Sequence, residues 1–173
     1  MRRTILFTLL LLLSKLATAS ENVIANFIEN PKQVGQTSRM TYLFWDVYDA
    51  SLFATQGNFS ATQPFALKLQ YLRSLNGEDI AKRSLEEMQK QGFNDAELGD
   101  QWLTIMNNIF PDVKDETVLL GIKTAQDHTL FYHNNELIGE VKDPAFTTWF
   151  FNIWLGEKTT EPQMRNELLG LRR

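Results

Sequence analysis

Residues 38–55 read SRMTYLFWDVYDASLFAT, a run in which aromatic and β-branched side chains are concentrated. Such side chains favour the extended backbone of a half-buried strand, so the run predicts one long bent strand or two successive strands. Its aromatic cluster is either ordinary sheet core or one wall of an apolar ligand pocket, in which Tyr48 or Arg39 would fix the polar end of the ligand. The cluster consists of Tyr42, Phe44, Trp45, Val47, Tyr48, Leu52 and Phe53.

The rest of the chain predicts a mixture of strands and helices that do not alternate strictly. Alternating apolar residues predict a strand over Pro64–Leu72, and helical spacing predicts two helices, one from Asn76 to Gly92 and one from Asn94 to Pro111. Further strands are predicted at Thr117–Lys123, Thr129–Tyr132 and Glu136–Val141, and further helices from Asp143-Pro144 to Leu155 and over Pro162–Leu169. This order predicts an α+β fold with a mostly antiparallel sheet and helices packed on one face.

The first 19 residues have the pattern of a signal peptide. Arg2 and Arg3 precede the apolar run TILFTLLLLL, and Ala17, Thr18 and Ala19 form an AxA cleavage site. The apolar run is too short for a bilayer-spanning helix, which needs about 20 apolar residues. We therefore expect cleavage after Ala19, a single domain over residues 20–173, no transmembrane segment in the mature chain, and export to the periplasm of a Gram-negative bacterium or beyond it.

Composition excludes several functions for that mature domain. Without residues 1–19 the chain keeps 14 basic against 21 acidic residues, a net charge of −7. Nucleic-acid binding depends on basic residues that neutralise phosphates, so no nucleic-acid partner is expected. The chain has no cysteine, which excludes disulfides and thiolate metal sites. A domain of about 150 residues can instead be stabilised by its core.

No motif for metal, phosphate or hydrolase chemistry is present. His128 and His133 are the only histidines, and strand alternation points them to opposite faces, so no metal site and no cofactor is expected. Glu86 and Glu87 lie on the first predicted helix among Lys82, Arg83 and Lys90, a spacing typical of a solvated face with ion pairs.

Three ordered blocks resemble the bacterial exported chalcone isomerase-like proteins over about residues 34–170. They read SRMTYLFWDVYDASLFA, LQYLRSLNGEDIAKRSLEEM and ELIGEVKDPAFTTWFFNIWLG. The resemblance implies an open-faced β-sandwich, in which a large antiparallel sheet carries helices on one side with a cleft between them. The family includes chalcone isomerases, fatty-acid-binding relatives and members without known catalysis.

The resemblance also implies positions for site residues. The strand threonine of the isomerases falls on Tyr48, the helix tyrosine on Ile80, the helix asparagine on Glu87, and the late serine or threonine near Thr147, while the arginine falls close to Gly35 or Gln36. Only Thr147 keeps a matching type, and Arg39 is the nearest replacement for the missing cation. Ring closure through a phenolate needs that cation and carbonyl donors, so chalcone isomerase activity is not expected. In the fatty-acid-binding relatives, the resemblance implies an arginine paired with a tyrosine at the strand position that Tyr48 occupies, so Tyr48 fits that branch better than the isomerase branch.

The sequence therefore predicts a non-catalytic periplasmic protein that binds a small apolar or lipid-like molecule. The expected cleft lies between the Tyr42–Phe53 strand and the Phe146–Trp154 helix. One alternative is an isomerase or lyase for an enone-type or other small substrate, with Tyr48, Arg39 and Thr147 as its catalytic candidates. Another is a periplasmic protein-interaction module that docks through exposed aromatic residues, with the partner left open. The candidate ligand-binding residues are Arg39, Tyr42, Phe44, Tyr48, Ile80, Thr147 and Phe150.

Overall fold

The structure is a computed structural model that describes residues 22–171; the predicted signal peptide lies outside the described residues. A seven-stranded antiparallel sheet is the centre of the described fold. Its strands are β1 (Pro31–Gln33), β2 (Ser38–Tyr42), β3 (Trp45–Thr55), β4 (Phe65–Tyr71), β5 (Val118–Lys123), β6 (Thr129–His133) and β7 (Glu136–Val141).

The run Ser38–Thr55 forms two strands rather than one, which was one of the two predicted outcomes. β2 and β3 make a hairpin whose loop consists of Leu43 and Phe44, since Tyr42 pairs with Trp45. Met40 pairs with Tyr48 but Thr41 pairs with Asp46, so a bulge shifts the register at this point. β1 and β2 follow one another along one edge of β3, and β4 pairs with its other edge. The strands β4 to β7 then continue the sheet in chain order.

Four helices follow the predicted segments: α1 (Gly77–Lys90), α2 (Ala96–Ile109), α3 (Pro144–Leu155) and α4 (Pro162–Leu169). The predicted start of α2 was wrong by one residue, because its N-cap is Asp95 rather than Asn94. The Asp95 carboxylate accepts a hydrogen bond from the Leu98 N–H at 3.0 Å. Asp143 caps α3 as predicted, accepting from the N–H groups of Ala145 and Phe146.

All four helices contribute to one hydrophobic core on one face of the sheet, which confirms the predicted α+β layout. Phe146 and Phe150 of α3 stack with ring centroids 5.4 Å apart, and Phe131 of β6 meets Phe150 edge to face at 5.0 Å. A short helical turn at residues 22–25 covers part of the opposite face, where Ile24 and Ile28 are buried among sheet residues. We did not predict this second core.

Candidate functional site

A cavity of about 420 Å³ lies between the sheet and the helices. This volume falls within the range of roughly 300–1,000 Å³ typical of small-molecule sites. The sheet contributes one wall, α1 and α3 contribute the other, and the segment after α3 contributes Thr160 and Glu161. Most of the lining is apolar: Met40, Val47, Leu67, Leu69, Leu75, Ile80, Phe110, Leu119, Phe131, Phe150, Phe151, Ile153 and Trp154.

Two tyrosine hydroxyls supply polar groups inside this cavity. Tyr48 and Tyr71 occupy paired positions on β3 and β4, so they project from the same face, and their rings meet edge to face at 5.7 Å. The indole Nε1 of Trp154 donates to the Tyr48 hydroxyl oxygen at 2.9 Å. Among the described residues, neither the Tyr48 proton nor the Tyr71 hydroxyl has a hydrogen-bond acceptor. Both O–H groups are therefore free to donate to a molecule in the cavity.

Both tyrosines remain protonated over the physiological pH range. Burial raises the pKa of Tyr48 to about 12, although the hydrogen bond from Trp154 acts in the opposite direction. Burial raises the pKa of Tyr71 further, and the neighbouring Tyr48 adds to that effect. Neutral hydroxyls of this kind can polarise a carbonyl or bind an ether, ester or alcohol oxygen, but they supply no positive charge.

Glu87 of α1 is the centre of a cluster of charged and polar side chains at one side of the cavity. Its carboxylate forms an ion pair with Arg83 at 2.7 Å and accepts hydrogen bonds from Lys90 at 2.9 Å and from the Thr160 hydroxyl at 2.5 Å. Burial alone would raise the pKa of Glu87, but the hydrogen bonds from Thr160 and Lys90 and the charge of Arg83 outweigh burial and lower it. Glu87 is thus charged at neutral pH and ties the segment after α3 to α1. The predicted solvated face is wrong for this residue, which is only 6% exposed.

The charge balance of the lining is negative. Arg83 is the one cationic residue that lines the cavity within the described chain, and it is paired with Glu87. The acidic residues are Asp79, Glu87 and Glu161. A carboxylate ligand would therefore meet no unpaired cation here, whereas a neutral acceptor would meet the two tyrosine donors.

Four of the predicted ligand-binding residues line this cavity: Tyr42, Tyr48, Ile80 and Phe150. Tyr48 is central to it, and Ile80 contributes an apolar surface from α1. The structure therefore brings together the aromatic strand and α3, the elements between which the cleft was expected, and it adds α1 to the cavity wall.

The structure places Arg39 and Phe44 away from the cavity, which corrects the expectation for both. Met40 points into the cavity, so the alternation of a strand turns its neighbour Arg39 to the outer face. There Arg39 donates to Asp49 at 2.7 Å and to Asp46 at 2.9 Å, and the bulge in the hairpin does not reverse this direction. Phe44 lies in the hairpin loop and is 93% exposed.

Thr147 is also outside the cavity, although it is buried. Its single O–H proton is shared between the backbone carbonyls of Asp127 and Asp143, at 2.8 and 3.0 Å, and its oxygen lies 2.8 Å from the Thr129 hydroxyl oxygen. These contacts fasten the start of α3 to the sheet. The set Tyr48, Arg39 and Thr147, predicted for the isomerase alternative, is therefore not assembled in one place.

The resemblance places the family arginine close to Gly35 or Gln36, and at Gly35 backbone atoms of the C-terminal segment fill the space that a side chain would need. A Cβ atom on Gly35 would lie only 2.1 Å from the Glu167 carbonyl oxygen and 2.6 Å from the Gly170 nitrogen. No side chain fits at Gly35, and its neighbour Gln36 donates its N–H to the same Glu167 carbonyl.

Tyr71 and Arg83 are site residues that sequence reasoning did not select. Trp154 was expected only as part of the helix that lines the cleft, and Glu87 only as the position of the family asparagine, so neither was given a role in binding. Tyr71 continues the alternation of β4 and Trp154 continues the buried face of α3, so both signals were present but indicated only core. Separately, the described residues contain no cluster of metal-ligating side chains. Within the same range, no helix has the length and apolar character needed to cross a bilayer.

A family model described as chalcone isomerase-like matches residues 34–170. The match covers most of the chain, so the protein belongs to the chalcone isomerase-like family, which confirms the resemblance of the three sequence blocks at the level of this family. Among solved structures, the chain is similar to the crystal structure of an Arabidopsis thaliana fatty-acid binding protein, with a TM-score of 0.62 and 13% sequence identity. The similarity covers 82% of this chain and 87% of that one, and at this identity it shows the fold, which is the predicted chalcone isomerase-like one. No curated protein matches the chain significantly.

Proposed function

We propose that this protein is a non-catalytic carrier or receptor for a small, neutral, lipid-like molecule that presents a hydrogen-bond acceptor. The observation that carries the proposal is the largely apolar cavity of about 420 Å³ into which Tyr48 and Tyr71 direct two unused O–H donors. Apolar lining with a few convergent polar groups is the usual composition of a small-molecule site. The fatty-acid-binding function of the structurally similar plant protein supports a lipid-like ligand at the level of the fold.

A neutral head group fits the cavity better than a carboxylate. Transferring an anion out of water is costly unless a cation or several donors compensate it. Arg83 is already paired with Glu87, and Asp79 and Glu161 add negative charge. We infer that an ester, alcohol, ketone or amide oxygen is the polar group of the ligand.

The same geometry argues against the ring closure of chalcone isomerases. Glu87 is charged and stands where the resemblance places an asparagine, Ile80 can donate no hydrogen bond, and Arg39 is on the outer face. A phenolate would be repelled rather than stabilised. The tyrosine pair could still polarise an enone carbonyl, which is the one feature that favours the isomerase or lyase alternative.

Titration of the purified protein with lipids of equal chain length tests the proposal. The probes are a fatty alcohol, a fatty-acid methyl ester and the free fatty acid, and the readout is tryptophan fluorescence, since Trp154 lines the cavity. We expect saturable binding of the two neutral probes and weaker binding of the acid. Tyr48→Phe and Tyr71→Phe should each weaken binding about three- to tenfold, the value of one hydrogen bond.

Tyr132→Phe is the matched control, because Tyr132 packs on the opposite face of the sheet and loses the same hydroxyl. Its binding constants should equal those of the wild type. Absence of saturable binding with all three probes would contradict the proposed function. If the acid binds more tightly than the neutral probes and loses this advantage in Arg83→Gln, the result would contradict the neutral head group but not the binding function. Turnover of a panel of enones that disappears in Tyr48→Phe would favour the isomerase or lyase alternative.

We also propose that the protein acts after export, in the periplasm. The signal-peptide pattern of residues 1–19 supports this location. Fractionation of cells expressing the full chain, with mass measurement of the N-terminus, tests it. A chain that starts at Ser20 in the periplasmic fraction is expected, and an uncleaved cytoplasmic chain would contradict it.

A further inference from the structure

The β2–β3 hairpin ends in four consecutive exposed apolar residues, Tyr42–Trp45, here called the apolar tip. Phe44 is 93% exposed and Leu43 73%, while Trp45 and Tyr42, on either side, are 61% and 55% exposed. Apart from Leu137 and Leu171, these are the only large apolar side chains so exposed in the described part of the chain. Such a concentration at one apex is a feature that a domain without an apolar partner would bury or avoid.

The turn itself favours this exposure at a conformational cost. Leu43 has a φ of 55°, a left-handed value that glycine, asparagine or aspartate adopts far more easily in two-residue hairpin loops. A leucine at this position places a large apolar side chain in solvent and strains the backbone. Departures from local preference of this kind concentrate at functional positions.

A cationic side chain lies against an aromatic ring of the apolar tip, while the nearby acidic side chains are paired with another residue. The guanidinium of Arg73 lies 5.0 Å from the ring centre of Trp45, and its Nε is buried without a hydrogen-bond partner. Within residues 22–171 the guanidinium forms no ion pair with a carboxylate. Asp46 and Asp49, on the outer face, are both bound by Arg39. Arg73 is thus a cation available to a phosphate, next to a ring that prefers an interface.

The apolar tip is continuous with the mouth of the cavity. Tyr42 belongs to both, and the guanidinium of Arg83, another lining residue, lies 5.8 Å from the Tyr42 ring. A surface that receives the tip would therefore contact Tyr42, a residue that also lines the cavity.

We propose that the apolar tip docks this protein onto a phospholipid bilayer surface. The outermost Leu43 and Phe44 enter the acyl region, while Tyr42 and Trp45 lie at the level of the head groups, where such amphipathic rings accumulate in membranes. Arg73 binds a lipid phosphate. A convex apex with this gradation suits a deformable bilayer better than a protein groove. The drive is apolar, so zwitterionic lipid suffices, in keeping with an acidic protein.

A position-specific fluorophore tests the proposal in the full chain. Because the chain has no cysteine, Phe44→Cys provides one attachment site for an environment-sensitive dye. We expect the emission at position 44 to shift to the blue on addition of phosphatidylcholine vesicles and to be quenched by lipids brominated on the acyl chain. Adding Leu43→Gly should lower the partition coefficient about tenfold, since it removes a buried leucine while relaxing the turn.

Gln126→Cys is the matched control. It is exposed in the β5–β6 loop, and the strand register places that loop at the opposite end of the sheet from the apolar tip. A dye there should remain in water even if residues 1–19 also bring the chain to the vesicle.

Two results would overturn the proposal. One is a dye at position 44 that stays in water beside vesicles. The other is a blue shift without vesicles that grows with protein concentration, which would assign the apolar tip to a second copy of the chain. The test needs no cavity ligand, so a failed lipid titration would leave its result unaffected.

Discussion

Tyr48→Phe and Tyr71→Phe remove the same atom from two neighbouring rings, yet the structure predicts different effects on stability. The Tyr48 hydroxyl accepts the hydrogen bond of Trp154 Nε1 at 2.9 Å, and Trp154 is only 6% exposed. The Tyr71 hydroxyl has no hydrogen bond with the described residues, and the residue is 2% exposed. The first substitution leaves a buried donor without an acceptor, whereas the second removes a hydroxyl that borders the cavity and has no hydrogen-bond partner among the described residues.

The expected magnitudes follow from these two situations. An orphaned buried donor costs about 1–3 kcal/mol of stability, and removing an unsatisfied hydroxyl is neutral or slightly stabilising. For a domain of this size, each kcal/mol corresponds to roughly 2–4 °C in Tm. We expect Tyr48→Phe to lower the Tm by about 2–12 °C and Tyr71→Phe to leave it unchanged or raise it by about a degree or two.

Urea denaturation followed by tryptophan fluorescence, together with calorimetry, measures both variants against the wild type without ligand. Tyr132→Phe again serves as a control for the loss of a tyrosine hydroxyl elsewhere. Equal losses of stability in the two cavity variants would refute the reasoning, because they would mean that Tyr71 has a partner in the folded chain. No loss in Tyr48→Phe would show that the Trp154 contact is not formed.

Three further predictions concern the surroundings of the cavity. The lowered pKa of Glu87 means that its contribution to stability is present above its unfolded pKa of about 4.3 and is lost as the pH falls through the folded value. Glu87→Gln should therefore have a lower urea midpoint than the wild type at about pH 7, and the difference between the two midpoints should become smaller at low pH. A difference that does not change with pH would contradict this. Gly35→Ala should cost about 1–3 kcal/mol or more in chemical denaturation, because its Cβ would overlap the Glu167 carbonyl, and an unchanged midpoint would contradict that packing. Asp143→Ala should cost at least about 1 kcal/mol, because it removes the α3 cap and the acceptor of Trp102 Nε1, with thermal unfolding as the measurement and a wild-type Tm as the contrary result.

The fold could be predicted from the sequence because local patterns and tertiary packing agree over most of the chain. The bounds of α3 and α4 follow from Pro144 and Pro162 at their first turns, and the Asn134-Asn135 turn adopts positive φ values of 47° and 78°, as its residues favour. The Leu43–Phe44 turn has no such residues. Its position could not be predicted from the sequence, which is why residues 38–55 were expected to form either one long bent strand or two successive strands.

The site was harder to predict because it depends on which face each side chain takes. Arg39 was proposed as an inward cation, and strand alternation turns it outward. Tyr71 and Trp154 had the pattern of core residues, and nothing local distinguishes a core residue from one that borders an empty volume. Glu87 resembled a surface residue because its partner Thr160 is 73 positions away in the chain.

The departures from the family pattern at this cavity form one consistent change rather than separate losses. Backbone atoms leave no space for a side chain at Gly35, and Arg39 lies on the outer face. Among the described residues, Arg83 is therefore the remaining cation at the site, and it forms an ion pair with Glu87. The same carboxylate binds Thr160, so the ion pair that removes the positive charge also secures the segment closing the cavity. Under the proposed function, an acidic residue at position 87 disfavours an anionic ligand while it stabilises one wall of the cavity, and the two tyrosines are the polar groups that would select the ligand. That ligand would be neutral, which is the kind of molecule that a bilayer at the apolar tip holds in abundance.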